Sequence, residues 1–429
     1  MNAAQTDARD RLWAAIDQRV DELIEITSEL VRRPSLLGAE AEAQAYVAEH
    51  LAGSGMAVES YDLDDGIKVR PNAGDSLTPF PGRPNVGAKR PSPSVSLRAG
   101  SGGGRSLILN GHIDVVSPEP VAAWSHDPWA AAIVDGKMFG RGAYDMKSGV
   151  ALNLFLARLV ADLGIQLGGD LTIHSVIEEE CTGNGALAAS LRDRADACLV
   201  TEPHFDGYTR AHPGVIWFRI SVPGVSAHAG WAWKGVNAIV NAVPVLQAMA
   251  KLNDDLNLDI HPIWEGMHHP INLNVGTIEG GDWPSTVPGS CEIRCRTSFF
   301  PGTTVEEMQS RISRAITEAI QPHEWLREHP PVVSYDGFRT EGVILDDGEP
   351  MVAVLGDAFR TVMGKEMEVG INTAVTDQRY YSFAGTPATC FGAAGGNGHA
   401  ADEWLDLASM PVAAKVIAQF LVDWCGVTG

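Results

Sequence analysis

Apolar positions recur at helical spacing near the N-terminus. Leu12, Ile16, Val20, Leu23, Ile24, Ile26, Leu30 and Val31 share a face until Pro34 stops the run, so one amphipathic helix is expected there. A second helix is expected over 39–52. From Gly66 to Arg105 the chain is rich in Gly, Pro and Ser, with NVGAKR and SVSLRAG as short strand-like interruptions. That composition reads as a long surface excursion with a hairpin. Beyond it the pattern becomes buried strand and helix in turn: SLILNGHID (106–114), VALNLFLARLVADL (150–163), DLTIHSVIEEE (170–180) and ACLVTEP (197–203). Such alternation predicts an α/β unit with a largely parallel central sheet.

The rhythm changes around Pro213. A strand at 217–222, a helix at 236–252, strands at 272–279 and 291–299, a helix at 304–320 and a strand near 331–335 spell β-α-β-β-α-β. This is the pattern of a split-βαβ, ferredoxin-like sandwich. A helix at 350–363, a strand at 387–392 and a helix at 409–424 then resume the first unit. The expected organisation is a discontinuous catalytic domain, 1–212 and 331–429, with an inserted unit at 213–330.

Length and charge narrow the function. A chain of 429 residues exceeds one ordinary core. With 54 acidic against 32 basic residues the formal charge is −22, which argues against nucleic acid or an anionic membrane as partner and for a small-molecule substrate. No apolar run is long enough for a membrane span. The six cysteines form no CxxC pair, which reads as free thiols in a reducing compartment. The N-terminal segment carries charges throughout and has no apolar leader core, so the cytoplasm is the expected location.

In an open α/β sheet, sites form beyond the carboxyl ends of the strands. There the sequence places His112 and Asp114, Glu178 to Glu180, Glu202, and His399 after the loop GAAGGNG, with Asp145 just before the helix near Lys147. Each has an ordinary alternative. Asp145 could be a helix N-cap, and the glutamates a solvated turn. Together they weigh differently, because four or five converging carboxylates repel one another unless cations sit among them. Two imidazoles and three carboxylates suit a pair of divalent ions.

The string GHID…GAYDMKSG…EEECTGNGA…TEP…GHAADE resembles the dinuclear zinc exopeptidase and deacylase family that includes acetylornithine deacetylase, succinyl-diaminopimelate desuccinylase, aminoacylase and glutamate carboxypeptidase. The motifs follow the family's order over almost the whole chain. The resemblance implies a zinc-exopeptidase-like catalytic domain with an inserted lid and dimerisation domain. It implies two divalent ions per subunit, Zn²⁺ first, with Mn²⁺ or Co²⁺ also compatible. His112 and Glu202 would hold one ion, Glu180 and His399 the other, and Asp145 would bridge. Glu179 matches the general base, and Asp114 the partner that fixes the His112 imidazole. The family's Asp-Glu-Glu is here Glu178-Glu179-Glu180; Gly183 and Gly185 support this register.

The resemblance also implies that His228, in GVSAHAG, reaches the partner's active site to stabilise an oxyanion, which requires a homodimer formed through the lid. Asn274, Arg296 and Arg379 match positions that hold substrate, Arg379 as a fork onto a carboxylate. Trp231, Trp233, Trp264 and Trp283 fall in lid loops. They either pack beneath the lid or wall a pocket for a bulky group. The expected activity is hydrolysis of a C–N bond in a small carboxylate-bearing amide, foremost deacylation of an N-acyl amino acid. Alternatives are an aminohydrolase, deformylase or carbamoyl hydrolase acting on an aromatic or heterocyclic compound, a dipeptidase or aminopeptidase, and a metal-binding scaffold without catalysis.

Overall fold

The computed structural model describes residues 2–92 and 104–428. A six-stranded sheet lies at the centre of the body, in the order Ala57–Asp62, Pro84–Arg90, Leu171–Val176, Leu107–His112, Ala197–Val200, Ala388–Cys390. The last four strands are parallel, and the first two add an antiparallel edge. Every residue of Leu107–His112 and Ala197–Val200 is buried, which is why these runs read as continuously apolar. Helices Lys147–Asp162 and Ser409–Cys425 pack on each other and on Leu107–His112. Helices Asn184–Arg192 and Gln378–Phe383 pack on each other and on neighbouring strands. The expected strand NVGAKR is present as Pro84–Arg90, while SVSLRAG lies outside the described residues.

The single N-terminal helix is corrected to two, Ala3–Gln18 and Val20–Val31. Arg19 leaves the helical region between them (φ −121°, ψ 22°) and pairs with both Glu22 and Asp162. Asp21 and Glu22 then occupy the first turn of the second helix, where its free N–H groups favour acids.

The inserted unit has its own core and a four-stranded antiparallel sheet in the order Leu273–Gly280, Ser290–Phe299, Gly214–Pro223, Val332–Thr340. Helices Ala238–Asp255 and Val305–Ala319 pack on each other, and their buried residues join this core. This is the ferredoxin-like arrangement, and its last strand runs to Thr340, beyond the boundary expected at 330. A three-stranded sheet, Val343–Ile344, Gly207–His212 and Glu368–Ile371, packs against Ala388–Cys390 of the body and was not foreseen. All six cysteines are free and buried. Cys291 and Cys295 lie four residues apart on one strand, roughly 13 Å at strand rise, too far for a disulfide. Among the described residues no helix is long and apolar enough to cross a membrane.

Candidate metal centre and substrate cavity

The parallel strands deliver the acids and histidines to one crevice. His112 ends Leu107–His112, and its Nδ1 donates to the backbone oxygen of Asp114 at 2.9 Å. A carbonyl can only accept, so Nδ1 carries the proton and Nε2 keeps a lone pair facing the crevice. The carboxylate of Asp114 does something other than expected. It lies 3.8 Å from Nδ1 and accepts instead from the backbone N–H of Glu179 and of Glu180, at 3.1 and 3.0 Å. Asp114 thus ties the His112 strand to the segment that carries both glutamates.

Glu178 is turned away from the crevice. Its backbone is left-handed (φ 67°), and its buried carboxylate pairs with Arg83 at 2.8 Å and accepts from Thr182 Oγ1 at 2.6 Å. Arg83 in turn pairs with Glu40. Glu178 is therefore an anchor, and Glu179 and Glu180 are the two residues of the triplet that line the cavity.

Asp145 follows the loop Gly140–Gly142, and the peptide bond after it is cis. The loop is gathered by Glu403, to which the sequence assigned no role although it ends the GHAADE string. Glu403 is fully buried and accepts from the backbone N–H of Gly142, Tyr144 and Asp145 at 3.0 to 3.1 Å, and from Arg141 at 2.5 Å. His399 arrives from the other side with a left-handed backbone (φ 63°) and is half-exposed.

These side chains meet. His112 Nε2 lies 3.2 Å from Asp145 and 3.5 Å from Glu202; His399 Nε2 lies 3.0 Å from Glu180 and 3.4 Å from Asp145. Two triads result, His112–Asp145–Glu202 and Asp145–Glu180–His399, each with its ligand atoms within 4.8 Å of one another. Asp145 belongs to both. Among the described residues no lysine or arginine pairs with Asp145, Glu180 or Glu202, so the cluster has carboxylates without fixed cations. Burial raises Glu202 and Glu179 well above the usual carboxylate range, and their acidic neighbours add to it. Hydrogen bonds to Asp145 and Glu180 push His399 up to about 11. A mixed nitrogen and oxygen donor set, shared through one carboxylate and short of positive charge, fits two divalent ions.

A cavity of about 540 Å³ opens over the triads. Body and lid both line it: Asp145, Glu179, Glu180, Glu202 and His399 on one side, Asn274, Arg296 and Trp217 on the other. Arg296 has no acidic partner among the described residues, and burial alone lowers its pKa. The aromatic wall exists, but its residues are Trp217 and Phe338, packed edge to face at 5.4 Å. The alternation in the strand around Trp217 marks a face of the sheet but not which end meets the crevice, so this signal was not legible.

The four tryptophans named from the sequence do not line the cavity. Trp264 is buried and donates to Asn372, whereas Trp231, Trp233 and Trp283 are exposed. His228 is also exposed, and its ring Nδ1 accepts from the backbone N–H of Gly230 in the same turn. Arg379 is fully buried behind Glu179 and is not part of the cavity wall. Arg296, by contrast, lines the cavity.

Comparison with known proteins agrees with this geometry. The family model described as Peptidase family M20/M25/M40 matches residues 108–423. The chain is similar to the N-formyl-4-amino-5-aminomethyl-2-methylpyrimidine deformylase of Bacillus subtilis (strain 168), at 26% identity over 96% of this chain and 97% of that protein. It is also similar to the succinyl-diaminopimelate desuccinylase of Marinobacter nauticus, at 24% identity over 93% and 98%. Among solved structures, the dipeptidase Dug1p from Saccharomyces cerevisiae shares the fold with a TM-score of 0.79 at 12% identity, covering 97% of this chain and 98% of that one.

Proposed function

Because the chain belongs to the Peptidase family M20/M25/M40 and is a metal-dependent amidohydrolase, we propose that it removes the acyl group from a small amide whose amine part carries a carboxylate, as in an N-acyl amino acid. The observation that supports this substrate is Arg296. A guanidinium that lines the cavity and has no acid beside it among the described residues is matched by a carboxylate, which accepts two parallel hydrogen bonds.

Family members typically bind two divalent metals; in this chain His112, Glu202, Glu180, His399 and the shared Asp145 would hold them. Bound there, the ions supply Lewis acidity at the scissile carbonyl and make a water acidic enough to ionise near neutral pH. Glu179 takes the proton of the attacking water and passes it to the leaving nitrogen. Its place on the cavity wall and its burial, which favours proton uptake, suit that task. Asp114 keeps Glu179 and Glu180 in step with His112 through their backbone N–H groups. Asn274 and Arg296 hold the substrate from the lid side.

His228 would complete the oxyanion site of a partner subunit. In its own chain it faces solvent, and the same unit exposes Val240, Val243 and Trp233, an apolar surface suited to a second copy. The dimerising unit is read as residues 214–340. Burial of all six cysteines as free thiols supports the cytoplasm as the location.

A second reading has its own support. The wall of Trp217 and Phe338 suits a flat ring, and a deformylase acting on a pyrimidine is among the relatives. A hydrolysis screen of the metal-loaded protein separates the two. N-formyl, N-acetyl and N-succinyl amino acids are compared with N-formyl aminomethyl-pyrimidines, scored by amine released. Preference for the carboxylate-bearing set supports the first reading, and turnover of the formylated pyrimidines alone replaces it with the second.

A further inference from the structure

Arg379 is the second residue of the short helix Gln378–Phe383, and its side chain is entirely out of solvent. It is held from several directions. Nη1 donates to the backbone oxygen of Thr376, and the guanidinium lies 4.5 Å from the ring of Tyr380 and 5.4 Å from that of Phe338. Tyr380 is pinned by its own hydroxyl, which donates to Thr182 O at 2.6 Å. The loop after Glu180 leaves room for this arrangement. Gly183 has a left-handed backbone (φ 73°), and a Cβ there would stand 2.6 Å from Nη2 and 2.2 Å from the Tyr380 ring. Only glycine fits between the glutamate segment and the guanidinium.

The acid nearest this fixed cation is Glu179, with Nη1 at 3.9 Å from Oε1. That oxygen is buried and accepts no hydrogen bond among the described residues. A buried carboxylate oxygen without a donor is costly unless a cation offsets it. Since Oε1 is shut away and Glu179 nevertheless lines the cavity, Oε2 is the oxygen that meets the substrate side. Phe338 lies beside the guanidinium and lines the cavity, whereas Arg379 does not; of the two buried acids that feel its charge, Glu179 and Asp377, Glu179 is the one that lines the cavity.

From this geometry we propose that Arg379 is a positioning residue for Glu179, holding Oε1 at the back of the cavity by through-space attraction so that Oε2 is presented to the reacting water. The proposal rests on the reading of Glu179 as general base. It replaces the substrate-carboxylate role that the sequence motif implied for Arg379.

The test uses Arg379→Lys and Arg379→Met in the full, metal-loaded protein, with an N-acyl amino acid and its neutral amide analogue as probes. Arg379→Met should lower kcat by about 10²-fold on both probes, with KM within about threefold, because it disturbs the proton-transferring group and not substrate binding. Arg379→Lys keeps the charge and should lose less. In a Glu179→Gln background, Arg379→Met should cost less than about threefold more, since its effect runs through the carboxylate already removed.

A KM rise of about tenfold on the charged probe alone, or losses that multiply in the double variant, would overturn the proposal. If Arg379→Met does not fold, the same cycle is run with Arg379→Lys. Crystal structures give a readout independent of turnover. Glu179 Oε1 should leave its buried position in the Met variant, and an unmoved carboxylate would contradict the proposal. If the wild-type protein hydrolyses no probe, the functional reading fails, while the position of Glu179 in the crystals still decides the role of Arg379.

Discussion

Arg296 carries the proposed substrate preference through a single unmatched charge. Arg296→Met should raise KM for a carboxylate-bearing amide by roughly 10- to 100-fold, the loss expected for a charged hydrogen-bonded pair, and should leave a neutral amide nearly unaffected. Equal effects on both substrates would remove the carboxylate from the account. His212 gives a stability prediction. Its burial, helped by the nearby Arg379 guanidinium, pushes its pKa down to about 3, below the usual histidine value. The unfolded chain therefore binds a proton between about pH 6.5 and pH 3 that the folded chain refuses, and stability must fall as pH drops through that window. Replacing His212 with Phe should flatten urea-measured stability between pH 6.5 and 4.5, by up to about 1.4 kcal/mol per pH unit. At this scale the sequence was legible wherever the residue type implied its chemistry: His112, Asp145, Glu180, Glu202 and His399 all meet. It misled at Arg379, because a motif names a residue type but not its burial. Arginine is normally exposed, yet this one is enclosed.

Elements carry these residues to the crevice and hold them there. The parallel strands were readable from their apolar runs, since full burial of Leu107–His112 and Ala197–Val200 requires such runs. The helix break at Arg19 was not, because neither Gly nor Pro marks it and the cause is a distant partner, Asp162. The loop bearing Asp145 depends on Glu403, whose four accepted bonds come from that loop and its flanking Arg141. Glu403→Gln should weaken divalent-metal binding by about 10- to 100-fold in calorimetric titration with Zn²⁺, the usual effect of removing a ligand's support. Affinity equal to wild type would mean the loop holds itself. Where the lid strand Val332–Thr340 meets the body, Gly337 exchanges backbone bonds with Asp75, and a Cβ there would stand 2.4 Å from the Trp217 ring. Its φ of +70° compounds the conflict, so Gly337→Ala should cost about 1–3 kcal/mol in urea unfolding and displace Trp217 from the wall.

For the whole molecule, the insertion of one layered unit into another explains why lid and body residues face a single cavity. Of the acids behind the charge of −22, those gathered at the crevice are the ones two divalent ions would offset. The dimer reading predicts complementation. Mixing His228→Ala with Glu179→Gln subunits should restore part of the activity, since one site of the hybrid would be whole; no recovery would place His228 outside catalysis across subunits. The central claim, a water deprotonated by Glu179 beside two bound ions, is tested most directly by turnover and metal content measured together on Glu179→Gln and wild type. The account expects two divalent ions per chain in both proteins and a loss of kcat on an N-acyl amino acid of about 10²- to 10⁴-fold in the variant. Undiminished turnover in a Glu179→Gln protein that carries its two ions would contradict it.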